Sequence, residues 1–145
     1  MRILTVFGTR PEAIKMVPVL RRLATQMGVD SQVCVTAQHR QMLDQVLDLF
    51  GVTPQHDLNV MRDGQGLTYV TVAVLDRLGG VYDMVRPDRV LVQGDTTTAF
   101  AAAFAAFYRR IPVAHIEAGL RTGNVYAPWP EEMNRRLTTK LADMH

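Results

Sequence analysis

Ile3-Leu4-Thr5-Val6-Phe7-Gly8-Thr9-Arg10-Pro11-Glu12 carries an unbroken apolar or β-branched run straight into a helix start. Such a run lacks the alternation of a strand wet on one face, so Ile3 to Phe7 reads as a strand covered on both sides. Thr9 and Glu12 have capping-box spacing, and Pro11 falls in the first helical turn, where its fixed φ and missing N–H do no harm. A buried strand feeding a capped helix is half of a βαβ unit.

Working outward, Gln32 to Ala37, Val90 to Gln93 and Val113 to Ile116 repeat the strand pattern. Between them the period becomes helical. Ala13, Met16, Val17, Leu20, Leu23, Ala24 and Met27 share one face of the first helix, and Leu43, Val46, Leu47 and Phe50 share one face of the second, which Gly51 stops. Leu67, Val70, Val74, Leu78 and Val81 mark a third helix to about Val85, with a fray or break expected at Gly79 and Gly80, since each glycine costs about 1 kcal/mol relative to alanine. Pro18 cannot donate to the Ile14 carbonyl and should kink the first helix. A last helix is expected from Glu131 to Ala142. The alternation predicts an α/β fold: a Rossmann-like, doubly wound parallel sheet with helices on both faces and a ligand site beyond the carboxyl ends of the strands.

At 145 residues the chain suits one domain, residues 1–145, with a core that buries roughly 70% of the unfolded surface. Its 48% hydrophobic and 21% charged content is that of a globular protein rather than a disordered one. Sixteen basic against fourteen acidic residues give a net +2, scattered along the chain, which argues against nucleic acid as partner. The single cysteine, Cys34, has no Cys or His at ligand spacing, so neither a disulfide framework nor a metal site is expected. The apolar run at the start is too short for a signal peptide, and Ala99 to Tyr108 is too short for the ~20 residues of a membrane span. A cytoplasmic protein without membrane contact is expected.

Chemistry-bearing residues collect at the strand ends. Arg10 and Lys15 lie near a helix N-terminus, whose free N–H groups attract anions, although no glycine-rich phosphate loop is present. Asp95, in Gly94-Asp95-Thr96-Thr97-Thr98, follows a buried strand; it reads equally as catalyst or as N-cap of the next helix. Glu117, in His115-Ile116-Glu117-Ala118-Gly119-Leu120-Arg121, brings a second carboxylate to the same sheet edge, with pairing to Arg121 as its plain alternative. His115 is assigned no role. Glu131 and Glu132 open the last helix; because Glu132 can pair with Arg136 at i,i+4, Glu131 is the better candidate to face a cleft.

These segments, with Gly8-Thr9-Arg10-Pro11-Glu12-Ala13-Ile14-Lys15, Thr36-Ala37-Gln38-His39-Arg40-Gln41-Met42-Leu43-Asp44, His115 to Gly123 and Pro130-Glu131-Glu132-Met133-Asn134-Arg135, resemble in order the signature segments of the bacterial non-hydrolysing UDP-N-acetylglucosamine 2-epimerases. The resemblance implies the N-terminal half of a glycosyltransferase-B-type two-domain fold, with the nucleotide-binding C-terminal half absent. It implies interconversion of UDP-N-acetylglucosamine and UDP-N-acetylmannosamine through elimination and re-addition of UDP, without a redox cofactor. By the same resemblance Asp95, Glu117 and Glu131 share the acid/base and sugar-positioning roles, undivided among them, and Arg10 and Lys15 contact substrate. Gln38, His39 and Gln41 match an effector site for a second UDP-N-acetylglucosamine in some members, although Gly64 stands where some members carry arginine. A homodimer is implied for the full-length enzyme.

Two other readings compete. A hydrolysing epimerase would release N-acetylmannosamine, but the signature segments favour the non-hydrolysing group. A non-catalytic receiver-like domain would cluster acidic residues after the first strand, where this chain has Thr9-Arg10-Pro11. Since family members continue into a second domain, the 145 residues alone are expected to be inactive.

Overall fold

A computed structural model describes residues 1–37, 40–60, 62 and 64–145. The elements are β1 (Arg2–Phe7), α1 (Arg10–Ala24), β2 (Asp30–Val35), α2 (Arg40–Phe50), β3 (His56–Asp57), α3 (Leu67–Val85), β4 (Arg89–Gln93), α4 (Thr97–Tyr108), β5 (Val113–Ile116) and α5 (Glu131–Leu141). All the strand pairs are parallel, in the order β3-β2-β1-β4-β5. The order reverses between β1 and β4, which is where a doubly wound sheet opens a crevice.

Alternate residues of each strand feed opposite layers of core. Leu4, Val6, Cys34, Val90, Val92 and Val113 pack toward α3 and α4. Ile3, Phe7, Val33, Val35, Leu91 and Ala114 pack toward α1 and α2. Small side chains set the spacing of the first layer: Ala99, Ala101, Ala102, Ala103, Ala105 and Ala106 are all buried on α4. Tyr82 of α3 reaches across to donate its hydroxyl to the Ala102 carbonyl at 3.0 Å. Burial pushes the Cys34 thiol up to about 12, with the nearby charge of Asp57 adding to the shift.

Several sequence expectations need correction. The second strand ends at Val35 rather than Ala37, because Ala37 adopts a left-handed φ of 54° that no strand continues through. The two-residue β3 was missed, being too short and too polar to leave a periodic signal. α3 runs unbroken through Gly79 and Gly80. At Gly79 the missing side chain leaves room for Arg109, since a Cβ there would stand 2.7 Å from its Nη2. α1 runs from Arg10 to Ala24 with Pro18 inside it, the single helix that the sequence leads one to expect. α5 stops at Leu141, with Ala142 extended. Beyond it, Asp143 donates its N–H to the Val113 carbonyl and Met144 accepts the His115 N–H, so the last residues run beside β5 in parallel.

Among the described residues no helix is long and apolar enough to cross a membrane.

Candidate functional site

The carboxyl ends of β1, β4 and β5 meet over a cleft of about 340 Å³, lined among others by Thr9, Lys15, Gln93, Asp95, Glu117 and Arg135. Close packing fixes the chain where it leaves β1. Gly8, the first residue past β1, sits against the Thr36 and Thr98 side chains so tightly that a Cβ would collide with both hydroxyls. Those hydroxyls are 2.9 Å apart and share a hydrogen bond.

Glu12 then ties the β1–α1 turn to the neighbouring loop. Its carboxylate accepts the Gly8 and Thr9 N–H groups at 3.0 and 2.8 Å and the Thr9 hydroxyl at 2.8 Å, while its other oxygen accepts the Thr96 hydroxyl at 2.7 Å. This is the Glu half of the expected capping box, extended to a second loop. Burial pushes the Glu12 carboxyl above its ordinary range, against hydrogen bonds that pull it down.

β4 delivers Asp95 through Gly94, whose φ of 72° favours glycine. The N-cap role considered for Asp95 belongs instead to Thr96, whose hydroxyl accepts the Ala99 N–H at 3.0 Å. Asp95 pairs with Arg135 of α5. β5 delivers Glu117 in a left-handed conformation, φ 61°, a backbone that costs a non-glycine residue on the order of 1–2 kcal/mol and is concentrated at functional sites. Its carboxylate meets the Lys15 ammonium at 2.5 Å and accepts the amide of the buried Gln93. The alternative pairing with Arg121 does not occur; Arg121 donates to the Ala118 and Leu120 carbonyls. Lys15 and Glu117 are each half-exposed, so their pair is open to exchange for a ligand.

His115, to which the sequence assigned no role, is buried beneath the cleft and donates from Nε2 to the Gly94 carbonyl at 2.6 Å. Burial holds its imidazole below the ordinary value; the Gly94 hydrogen bond opposes this, and the charges of His145, Arg121 and Arg135 add to it.

The remaining candidates are placed differently. Glu131 opens α5 half-buried, outside the residues that line the cleft. Arg10 is exposed on the first turn of α1, also outside the lining. Gln41 is exposed on α2, and Gln38 and His39 lie outside the described residues. Gly64 has a φ of 66°, a conformation that suits glycine better than arginine. Glu132 accepts from Arg136 at 2.8 Å, the i,i+4 pair expected of it, and is fully buried. Among the described residues no group of three or more His, Cys, Asp or Glu side chains is placed to hold a metal ion.

Parallel strands ordered 3-2-1-4-5, with an acidic and basic cleft over the reversal, define a Rossmann-like α/β domain with its polar side chains gathered at the switch point. The chain belongs to the UDP-N-acetylglucosamine 2-epimerase family, whose model matches residues 21–145. The UDP-N-acetylglucosamine 2-epimerase of Escherichia coli strain K12 is 59% identical over 145 residues, covering 100% of this chain and 39% of that protein. A crystal structure of UDP-GlcNAc 2-epimerase from Neisseria meningitidis bound to UDP-GlcNAc is 58% identical, with a TM-score of 0.95 over 98% of this chain and 38% of that one. A spinosyn rhamnosyltransferase, 17% identical with a TM-score of 0.59 over 79% of this chain, shares the fold alone. The chain thus spans about two fifths of the length of its epimerase relatives, in the N-terminal part of a glycosyltransferase-B-type fold.

Proposed function

We propose that this chain is the acid/base half of a non-hydrolysing UDP-N-acetylglucosamine 2-epimerase. The observation that carries the proposal is the convergence of Asp95, Glu117 and Lys15 on one cleft at the switch point of the sheet. A base removes the proton from carbon 2 of the sugar, the electron pair forms the carbon 1–carbon 2 double bond, and the bond from carbon 1 to the β-phosphate oxygen breaks to release UDP. Proton delivery to the opposite face of carbon 2, with return of the UDP oxygen to carbon 1, gives UDP-N-acetylmannosamine. Proton removal from so weak an acid needs a positioned base, and the departing diphosphate needs cations. Lys15 serves the second need by exchanging its Glu117 partner for a phosphate oxygen, which at the same time frees Glu117 for proton transfer. Asp95, Glu117 and Glu131 carry the acid/base and sugar-positioning roles, and Arg10 joins Lys15 in binding substrate.

A uridine-diphosphate-binding second half completes the enzyme, and Gln38, His39 and Gln41 belong to an effector site for a second substrate molecule. The complete enzyme is a homodimer; Val72 and Met84 on α3 and Phe107 and Tyr108 on α4 leave apolar surface exposed on two helices that pack together, which supports a self-association face.

Turnover in deuterium oxide tests the chemistry: UDP-N-acetylmannosamine carrying deuterium at carbon 2 is expected. Product without that label counts against proton abstraction at carbon 2. Free N-acetylmannosamine with UDP points to the hydrolysing reaction instead. In the complete enzyme Glu117→Gln should lower kcat by about 10² to 10⁴ while the protein stays folded; near wild-type turnover removes Glu117 from the mechanism.

A further inference from the structure

Arg135 joins a buried carboxylate to one in the cleft. Its side chain is only 4% exposed, against 0% for Glu132 and 26% for Asp95. One terminal nitrogen, Nη1, donates to the Glu132 carboxylate at 3.2 Å and to the Leu120 carbonyl at 3.1 Å; the other, Nη2, meets the Asp95 carboxylate. Glu132 is itself anchored by the Thr122 N–H at 3.2 Å and by Arg136. Although burial works to raise the Glu132 carboxyl, these partners outweigh it and hold it below the ordinary range. The adjacent Asn134 donates to the backbone carbonyl of Asp95 at 3.0 Å.

We infer that Arg135 is a positioning residue that sets the place of the Asp95 carboxylate in the cleft, with Glu132 as the buried counter-charge that fixes Arg135. Asp95 follows a left-handed glycine, and the cap of α4 is Thr96, so the helix cap does not hold the Asp95 side chain. The orientation comes instead from α5, through a guanidinium whose planar fork reaches two carboxylates from two ends. Lysine at this position would keep the charge that Glu132 needs and lose the second reach. A role limited to neutralising Glu132 would therefore survive Arg135→Lys, whereas a positioning role would not.

The inference rests on the epimerase reading for its kinetic consequence, and the test separates the two. In the 145-residue chain, nitrogen-15 spectra should show the Nη hydrogens of Arg135 as separate, slowly exchanging signals, and Asp95→Asn should release those on Nη2 while leaving those on Nη1 in place. Rapidly averaged Nη2 signals in the unaltered chain, or signals that Asp95→Asn does not move, overturn the clamp. In the complete enzyme Arg135→Lys should lower kcat about 10²-fold with little change in KM, the scale expected for a displaced reacting group. It should lower kcat no further when Asp95→Asn is already present, because the two changes break one interaction. Wild-type kcat for Arg135→Lys, or full additivity with Asp95→Asn, overturns the inference. An unaltered complete enzyme that turns nothing over refutes the epimerase reading, and the arginine spectra then decide the clamp alone.

Discussion

Glu12 is buried where β1 hands over to α1, and its two oxygens receive donors from Gly8, Thr9 and Thr96. Removing that carboxylate leaves several buried donors without an acceptor, each a loss on the order of 1–3 kcal/mol when no water can replace it. Glu12→Ala should therefore lower the unfolding free energy by about 3 kcal/mol, as read from urea denaturation. Glu12→Gln keeps one acceptor oxygen and the shape of the side chain, and should lose less than half as much. Equal stability of Glu12→Ala and the unaltered chain would mean that water fills the site and that the β1–α1 and β4–α4 loops are held by something else.

At the scale of the element, α3 contains two adjacent glycines with different surroundings. Gly80 faces open space, so Gly80→Ala adds a better helix former at no steric cost and should raise stability by about 0.5–1 kcal/mol. Gly79 is buried beneath the Arg109 guanidinium, which is tied to Asp83 through two hydrogen bonds of 2.8 and 3.0 Å. Gly79→Ala must push that pair aside, so the gain seen at Gly80 should vanish there. Thermal unfolding of the two variants side by side is the measurement; equal stabilisation would show that Arg109 moves freely. From sequence alone both glycines marked a break, because propensity acts on the helix in isolation while the packing of α3 against α4 acts on the folded molecule.

For the whole molecule, His115 makes stability depend on pH. Its folded value lies below the ordinary 6.5, so between the two values the unfolded chain binds more protons than the folded one. Unfolding free energy should rise with pH through that window: the contribution is complete above about 6.5 and is lost as pH falls toward the folded value. Glu12 acts in the opposite sense, its raised value favouring the folded chain at low pH and losing that contribution as pH climbs above 4.5. Lowering the pH from 7.5 to 5.5 should cost the unaltered chain more in urea midpoint than it costs His115→Gln, which should also have a lower midpoint at pH 7.5 through the weakened Gly94 contact. An unchanged slope in the variant would assign the pH dependence to other groups.

The cleft itself is wet, since Lys15 and Glu117 are each half-exposed and their attraction is screened accordingly. On the proposed reading a second half excludes water and grips the nucleotide, so residues 1–145 tested by themselves should not turn over UDP-N-acetylglucosamine. Turnover by the purified chain, free of host enzyme, would show that its carboxylates suffice.

The sequence by itself determined the alternation of strand and helix, the doubly wound class and the arrival of Asp95 and Glu117 at one sheet edge. Each of these follows from local signals: apolar period, capping residues, and the rule that consecutive parallel strands end on the same side. The family resemblance was legible in the same way, in short motifs read in order. Tertiary structure alone decided the partners. Glu117 took Lys15, 102 positions away, rather than Arg121, and Asp95 took Arg135 while Thr96 took the cap. Glu132 and Glu131 look alike as first-turn glutamates, yet one is sealed in a buried ion-pair network and the other is not. The i,i+4 spacing does encode the Glu132–Arg136 pair, but the burial of Glu132 and the long-range pairings depend on where remote elements cross and how much water they exclude, which no spacing along the chain encodes before the sheet has closed the distance.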